Sequence, residues 1–312
     1  MIEAAAKPYA EQAAAIGGFD GFRDEIVVSD GVRIACRIGG SGPALVCLHG
    51  YPETHLMWHR VAGPLSEHFT VIAPDLRGYG ASDCPPDDDD HTVYAKRAMA
   101  RDVIATLDHL GFAEAAVVGH DRGARVAYRL AIDWPERVTR LSVLDVIPTS
   151  EVWDHMTRAS AVRLYHWTLL AQPVPLPEDL LASDPDTWIA NRFRRGAPDL
   201  PDWLEADVLS AYQAAFRDPA RRSASCADYR AGATIDVIHD RADLSAGRRV
   251  QCPLQAIWGS RGNLQDIDDP LAVWDPWSKL PVVGTSIASG HFLAEEAPQA
   301  LLEHLLLFLR EA

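Results

Sequence analysis

Short apolar runs alternate with helical patterns over the first half of the chain. Residues 25–29 and 32–38 alternate in polarity around Asp30-Gly31, which predicts a hairpin of two strands. Residues 44–48 (ALVCL) are apolar throughout, as expected of a strand buried on both faces, and 71–73 and 115–118 repeat that pattern. Between the last two, Met99, Val103, Leu107 and Leu110 recur at helical spacing within 94–110, and the pattern stops at Gly111. A further helical segment, 124–133, ends at Trp134-Pro135, and 141–146 reads as a strand again.

The rhythm then changes. From 148 to 250 helical patterns are broken by Pro-rich stretches, with no strong strand run. After Cys252-Pro253 it returns: 254–259 and 282–287 predict strands, and 298–309 a closing amphipathic helix on Leu301, Leu305 and Phe308. Strands alternating with helices predict an α/β fold with a mostly parallel sheet flanked by helices. The expected organisation is a core made of 1–147 and 251–312, interrupted by a helical cap at 148–250.

Charge narrows the partners. The 29 Lys and Arg against 44 Asp and Glu leave a formal net charge of −15, which repels nucleic acid and anionic membrane surfaces. The Ala-rich start carries Glu3, Lys7 and Glu11, so no signal peptide is read, and the apolar run 305–309 is too short to cross a bilayer. The five cysteines are scattered, without metal-ligand spacing or an even count for a disulfide framework. A cytoplasmic protein without a metal is expected. The acidic run at 87–90 reads as a solvated loop.

The sharpest chemical signal is Gly119-His120-Asp121-Arg122-Gly123, between a predicted strand and a helix. Small residues on either side of a candidate nucleophile fit the elbow that presents Asp121 at a strained strand-to-helix turn, although an Asp there also fits a plain helix N-cap. His49-Gly50-Tyr51-Pro52, after an earlier strand, is the loop that supplies an oxyanion donor in such sites; the donors would be the backbone N–H groups of Tyr51 and Arg122. His291, in a Gly-His loop between the last strand and the last helix, is the candidate base. Its acid partner is either Asp145 or Asp266. Asp145 is preferred, because a carboxylate at the end of an apolar strand must be paired.

These motifs, with the DLRGYG loop, HDRGAR, VLDVIPT, His166-Trp167, DYRAG and SGHF, resemble the haloacetate dehalogenases of the α/β-hydrolase superfamily, over about residues 23–310. The resemblance implies the α/β-hydrolase fold, no cofactor, a homodimer, and hydrolysis of a small anionic haloacid. It makes Asp121 the nucleophile, and His166, Trp167 and Tyr212 the halide donors, with Tyr229 a competing tyrosine. Arg122 and Arg125 are the features that fit an anion. Two guanidinium groups would offset the repulsion between a substrate carboxylate and Asp121 and grip it as a fork. An epoxide hydrolase, with cap tyrosines acting on a neutral substrate, and a non-catalytic carboxylate-binding relative are the alternatives.

Overall fold

A computed structural model describes residues 8–310 of the chain; residues 1–7 and 311–312, at the ends of the expected core, lie outside the described residues. The described residues form an eight-stranded sheet in the order β1-β2-β4-β3-β5-β6-β7-β8. The strands are β1 (Arg23–Ser29), β2 (Val32–Gly39), β3 (Ala44–Leu48), β4 (Thr70–Pro74), β5 (Ala115–His120), β6 (Val138–Leu144), β7 (Leu254–Gly259) and β8 (Val283–Ile287). The first hairpin is antiparallel, β2 pairs antiparallel with β4, and every pairing from β4 to β8 is parallel.

Burial follows position in the sheet. All residues of β3 and β5 are buried, whereas the edge strand β1 exposes alternate residues. Each fully buried Val or Leu of these central strands contributes about 1.5–3 kcal/mol. The helix Arg122–Asp133 packs on β5 and β6 and is buried along almost its whole length. Its neighbour Lys96–Leu110 begins two residues later than the periodicity predicts, because Thr92–Tyr94 forms a 3-10 turn, and it closes on Gly111 in the left-handed conformation (φ 78°). Strand β6 also ends earlier than expected. Asp145 turns to φ 53° while its amide still donates to Ile257 O at 2.8 Å, which takes the chain out of the sheet.

Between β6 and β7 the segment from Thr149 to Ser245 forms eight helices among the described residues. Buried ion pairs fasten it to the sheet domain. Asp240 accepts from Arg129 (2.9 Å), Tyr128 and the Ser150 amide; Asp228 meets Arg122 and Lys96. Among the described residues no helix is long and apolar enough to cross a membrane.

Candidate active site

The carboxyl ends of β3, β5, β6 and β8 deliver the groups predicted to do chemistry, at the edge where α/β sheets bind ligands. Asp121 stands at the corner between β5 and its helix, with φ 44° and ψ −112°. The corner is possible because of its glycines. A Cβ on Gly119 would lie 2.6 Å from the backbone of Ala124 and Gly123, and one on Gly123 would lie 2.4 Å from the carbonyls of Leu48 and His49. Strain of this kind is tolerated where the surroundings over-determine it.

The Asp121 carboxylate is buried, and Oδ2 accepts from the Tyr51 amide at 3.3 Å. Arg122 opens the helix, where the first amides have no intrahelical acceptor. Burial alone would raise the Asp121 pKa, but the basic groups around it, His291 and Arg125 foremost, outweigh it and hold the group below its ordinary value. Asp121 is therefore ionised.

His291 and Asp145 form the pair that their motifs suggest. His291 Nδ1 lies 2.6 Å from Asp145 Oδ2. A carboxylate only accepts, so Nδ1 carries the proton and Nε2 is left as the basic nitrogen. Asp145 is held by the amides of Gly259 (3.2 Å) and Asn263 (2.7 Å). Asp266, the other candidate, is ion-paired with Arg163 instead.

The two arginines have different surroundings. Arg122 is fully buried and already gripped: Nε and Nη2 donate to the Asp228 carboxylate at 2.9 and 2.7 Å, and Nη2 also to the Asp228 carbonyl. The expected two-pronged hold on a substrate is thus spent on Asp228, and only Nη1 has no partner among the described residues. Arg125 touches only neutral acceptors, Ile147 O and Thr149 Oγ1 through Nη1, and its Nε is buried without a partner. Burial lowers its pKa, opposed by Asp121. Its guanidinium lies 4.6 Å from the Trp167 ring.

Of the three residues expected at the halide, His166 lines the cavity of Asp121, Trp167 an adjoining one and Tyr212 neither. His166 lines the same cavity as Asp121 and His291, about 540 Å³ in volume. Its Nδ1 is buried without a partner, and burial, helped by Arg192, holds its pKa well below the ordinary value, so it is neutral. Trp167 and Arg125 line an adjoining cavity of about 80 Å³ that also touches Asp145. Tyr212 is the correction. Its hydroxyl donates to Glu295 Oε1 at 3.2 Å, and its ring stacks on Phe193. Tyr229, the competing tyrosine, is the one whose hydroxyl feels the Asp121 charge. Its buried hydroxyl has no partner, and its ring abuts Tyr51 (5.3 Å), His166 (5.7 Å) and Trp167 (6.0 Å), with Arg122 at 4.3 Å. The pattern of buried aromatics does not tell two such tyrosines apart.

Behind the nucleophile lies a buried network that the motifs did not indicate. His120 Nε2 donates to the His291 carbonyl at 2.8 Å, so its Nδ1, 2.9 Å from Glu53 Oε2, is free to accept. Burial keeps His120 neutral and pushes the Glu53 carboxyl up to about 8, with Glu295 raised beside it. Glu53 is accordingly protonated and donates to His120. The network joins the residue before Asp121 to the backbone of His291.

A carboxylate on a nucleophile elbow, a histidine–aspartate pair and an inserted helical segment are the marks of an α/β hydrolase. Residues 43–171 match the family model described as alpha/beta hydrolase fold, and the chain belongs to that family. Its relatives include a fluoroacetate dehalogenase from Burkholderia sp, 40% identical over 294 residues that span 94% of this chain and 96% of that one. A soluble epoxide hydrolase from Corynebacterium sp. (strain C12) is 31% identical over 286 residues, spanning 89% and 94%. The solved structure of ALR0039 from Nostoc sp PCC 7120 superposes with a TM-score of 0.90 at 40% identity, covering 94% of this chain and 100% of that one.

Proposed function

We propose that this hydrolase is a haloacetate dehalogenase, acting on a small 2-haloacid through an ester of Asp121. The observation that carries the reading is an ionised, buried carboxylate at the elbow beside Arg125, whose charge has only neutral partners. A carboxylate needs no base to attack a saturated carbon. Arg125, with Nη1 of Arg122, would hold the substrate carboxylate. An Asp121 oxygen attacks the α carbon, and the carbon–halogen pair leaves as halide toward His166, Trp167 and Tyr229. His291 Nε2 then takes a proton from water as its oxygen attacks the ester carbonyl, and Asp145 stabilises the imidazolium. The amides of Tyr51 and Arg122 receive the oxyanion. Collapse releases the hydroxy acid and restores Asp121, and His291 returns its proton to solvent. No metal or cofactor is required by these steps.

The test is halide release from fluoro-, chloro- and bromoacetate, run beside turnover of a neutral epoxide. Halide release abolished by Asp121→Asn supports the reading. Epoxide opening without halide release would replace it with the epoxide-hydrolase alternative, and ligand binding without turnover of either would make the protein a carboxylate-binding relative.

A further inference from the structure

A haloacid must enter a protein whose formal net charge is −15. The cavity that ends on Asp121 and His291 is lined by Arg163, Arg192, Arg194, Arg195 and Arg261, and Asp121 is its sole acidic lining residue among the described residues. Exposure grades along it. Asp121 and His291 are buried, Arg163, Arg192 and Arg194 half-buried, and Arg195 and Arg261 exposed. The arginines thus stand between solvent and the nucleophile.

They differ from four enclosed arginines elsewhere in the molecule, though not from Arg125 or Arg222, which also bond only neutral acceptors. Arg77, Arg122, Arg129 and Arg230 each meet a carboxylate. In the cavity only Arg163 does so, with Asp266. Arg192 donates to the Tyr165 hydroxyl and lies against the rings of Tyr165 (4.6 Å) and Trp188 (4.9 Å). Arg194 donates to Asn191 Oδ1 and Arg195 to Asn263 Oδ1, each at 2.9 Å. Arg261 makes no ion pair among the described residues. Arg195 also sits at φ 50°, ψ 38° after its helix, a left-handed position where Gly or Asn is more comfortable. Unpaired like charges held by neutral acceptors along one path cost stability unless an anion visits them.

We propose that Arg192, Arg194, Arg195 and Arg261 form an anion antechamber, a site for small carboxylates ahead of Asp121 that takes up the haloacid and releases the hydroxy acid. It rests on the carboxylate-substrate reading but involves none of the residues that would perform the reaction. Asn263 joins it to the inner site, since its side chain accepts from Arg195 while its amide donates to Asp145.

The experiment compares wild type with Arg192→Gln/Arg195→Gln at low and high ionic strength. A control, Arg23→Gln/Arg33→Gln on the exposed β1–β2 hairpin, removes the same charge elsewhere. At low salt kcat/KM for chloroacetate is expected to fall roughly tenfold in the antechamber variant, through KM rather than kcat, and the deficit should shrink as salt screens the site. The control should keep the wild-type salt dependence. Acetate titration by calorimetry reads anion capture without turnover, and affinity several-fold weaker in the antechamber variant is expected. If wild type releases no halide yet acetate binding weakens in this way, the dehalogenase reading fails and the antechamber stands. Wild-type acetate affinity and salt dependence in the variant would overturn the antechamber.

Discussion

Replacing two tyrosines by phenylalanine separates a reacting group from a structural one. The Tyr229 hydroxyl is buried and unpartnered, and burial together with the nearby Asp121 charge pushes its pKa well up, so it remains a donor through the neutral range. Leaving a buried hydroxyl unsatisfied costs about 1–3 kcal/mol, so Tyr229→Phe should hold or slightly raise the melting temperature. If that O–H meets the departing halide, its loss should lower kcat about 10²–10³-fold, the usual effect of removing one preorganised donor. Tyr212 should behave in the opposite way. Its O–H satisfies Glu295 at 3.2 Å, so Tyr212→Phe strands a buried acceptor, costs about 1–3 kcal/mol and lowers the melting temperature by several degrees, with turnover within about threefold of wild type. Halide release followed by ion chromatography, with thermal melts of the same samples, gives both readouts. Full activity in Tyr229→Phe, with turnover lost in a stable Tyr212→Phe, would refute the reasoning and return Tyr212 to the halide site.

Two further predictions concern the base and the network behind it. His291→Gln should still form the Asp121 ester, because the first step needs no base; the expected result is one halide per protein molecule, then arrest, with mass spectrometry finding a carboxymethyl group on Asp121. Continued turnover would exclude His291 as the hydrolytic base. Glu53→Gln should fold, since an amide N–H can replace the protonated carboxyl as donor to His120. The native Glu53 pKa, about 8, lies above its ordinary 4.5, so the stabilisation is complete below about 4.5 and is lost as pH rises toward 8. Gln does not titrate, so thermal melts should show the variant gaining on wild type as pH rises through that window; a gap independent of pH would mean that Glu53 is ionised throughout.

What could be read from the chain, and what could not, divides by the range of the interaction. Strands β3 and β5 were legible because burial on both faces leaves a continuous apolar run. Asp145 was legible for the converse reason, a charge where only a pair can hold it. Its partner His291 lies 146 positions away and was located by the order of strands and loops. Tyr212 and Tyr229 are equally buried, and burial is all that an aromatic pattern encodes. Which of them faces Asp121 depends on how the inserted helices pack. The Arg122–Asp228 pair spans 106 positions, and no local pattern marks it. Motif logic therefore assigned both Arg122 and Arg125 to the substrate, although Asp228 had already claimed most of one of them.

That claim has a consequence for the charge of the site. Asp228 compensates Arg122 and shares Lys96 with Asp236, and Asp145 is matched by His291 only after the base takes its second proton. Before reaction, Arg125 is the cation acting on Asp121 that no other carboxylate pairs. An incoming carboxylate is then one anion more than the inner site balances, and the released halide is not neutralised by the ester that forms. Inner groups alone would leave this excess to Nη1 of Arg122 and to the helix N-terminus, whose field is worth about 0.3–1 kcal/mol. The unpaired arginines of the cavity supply the missing positive charge without pairing with Asp121 and quenching its attack. An acidic protein can thus admit an anionic substrate when its free cations line the route and its nucleophile faces a single one.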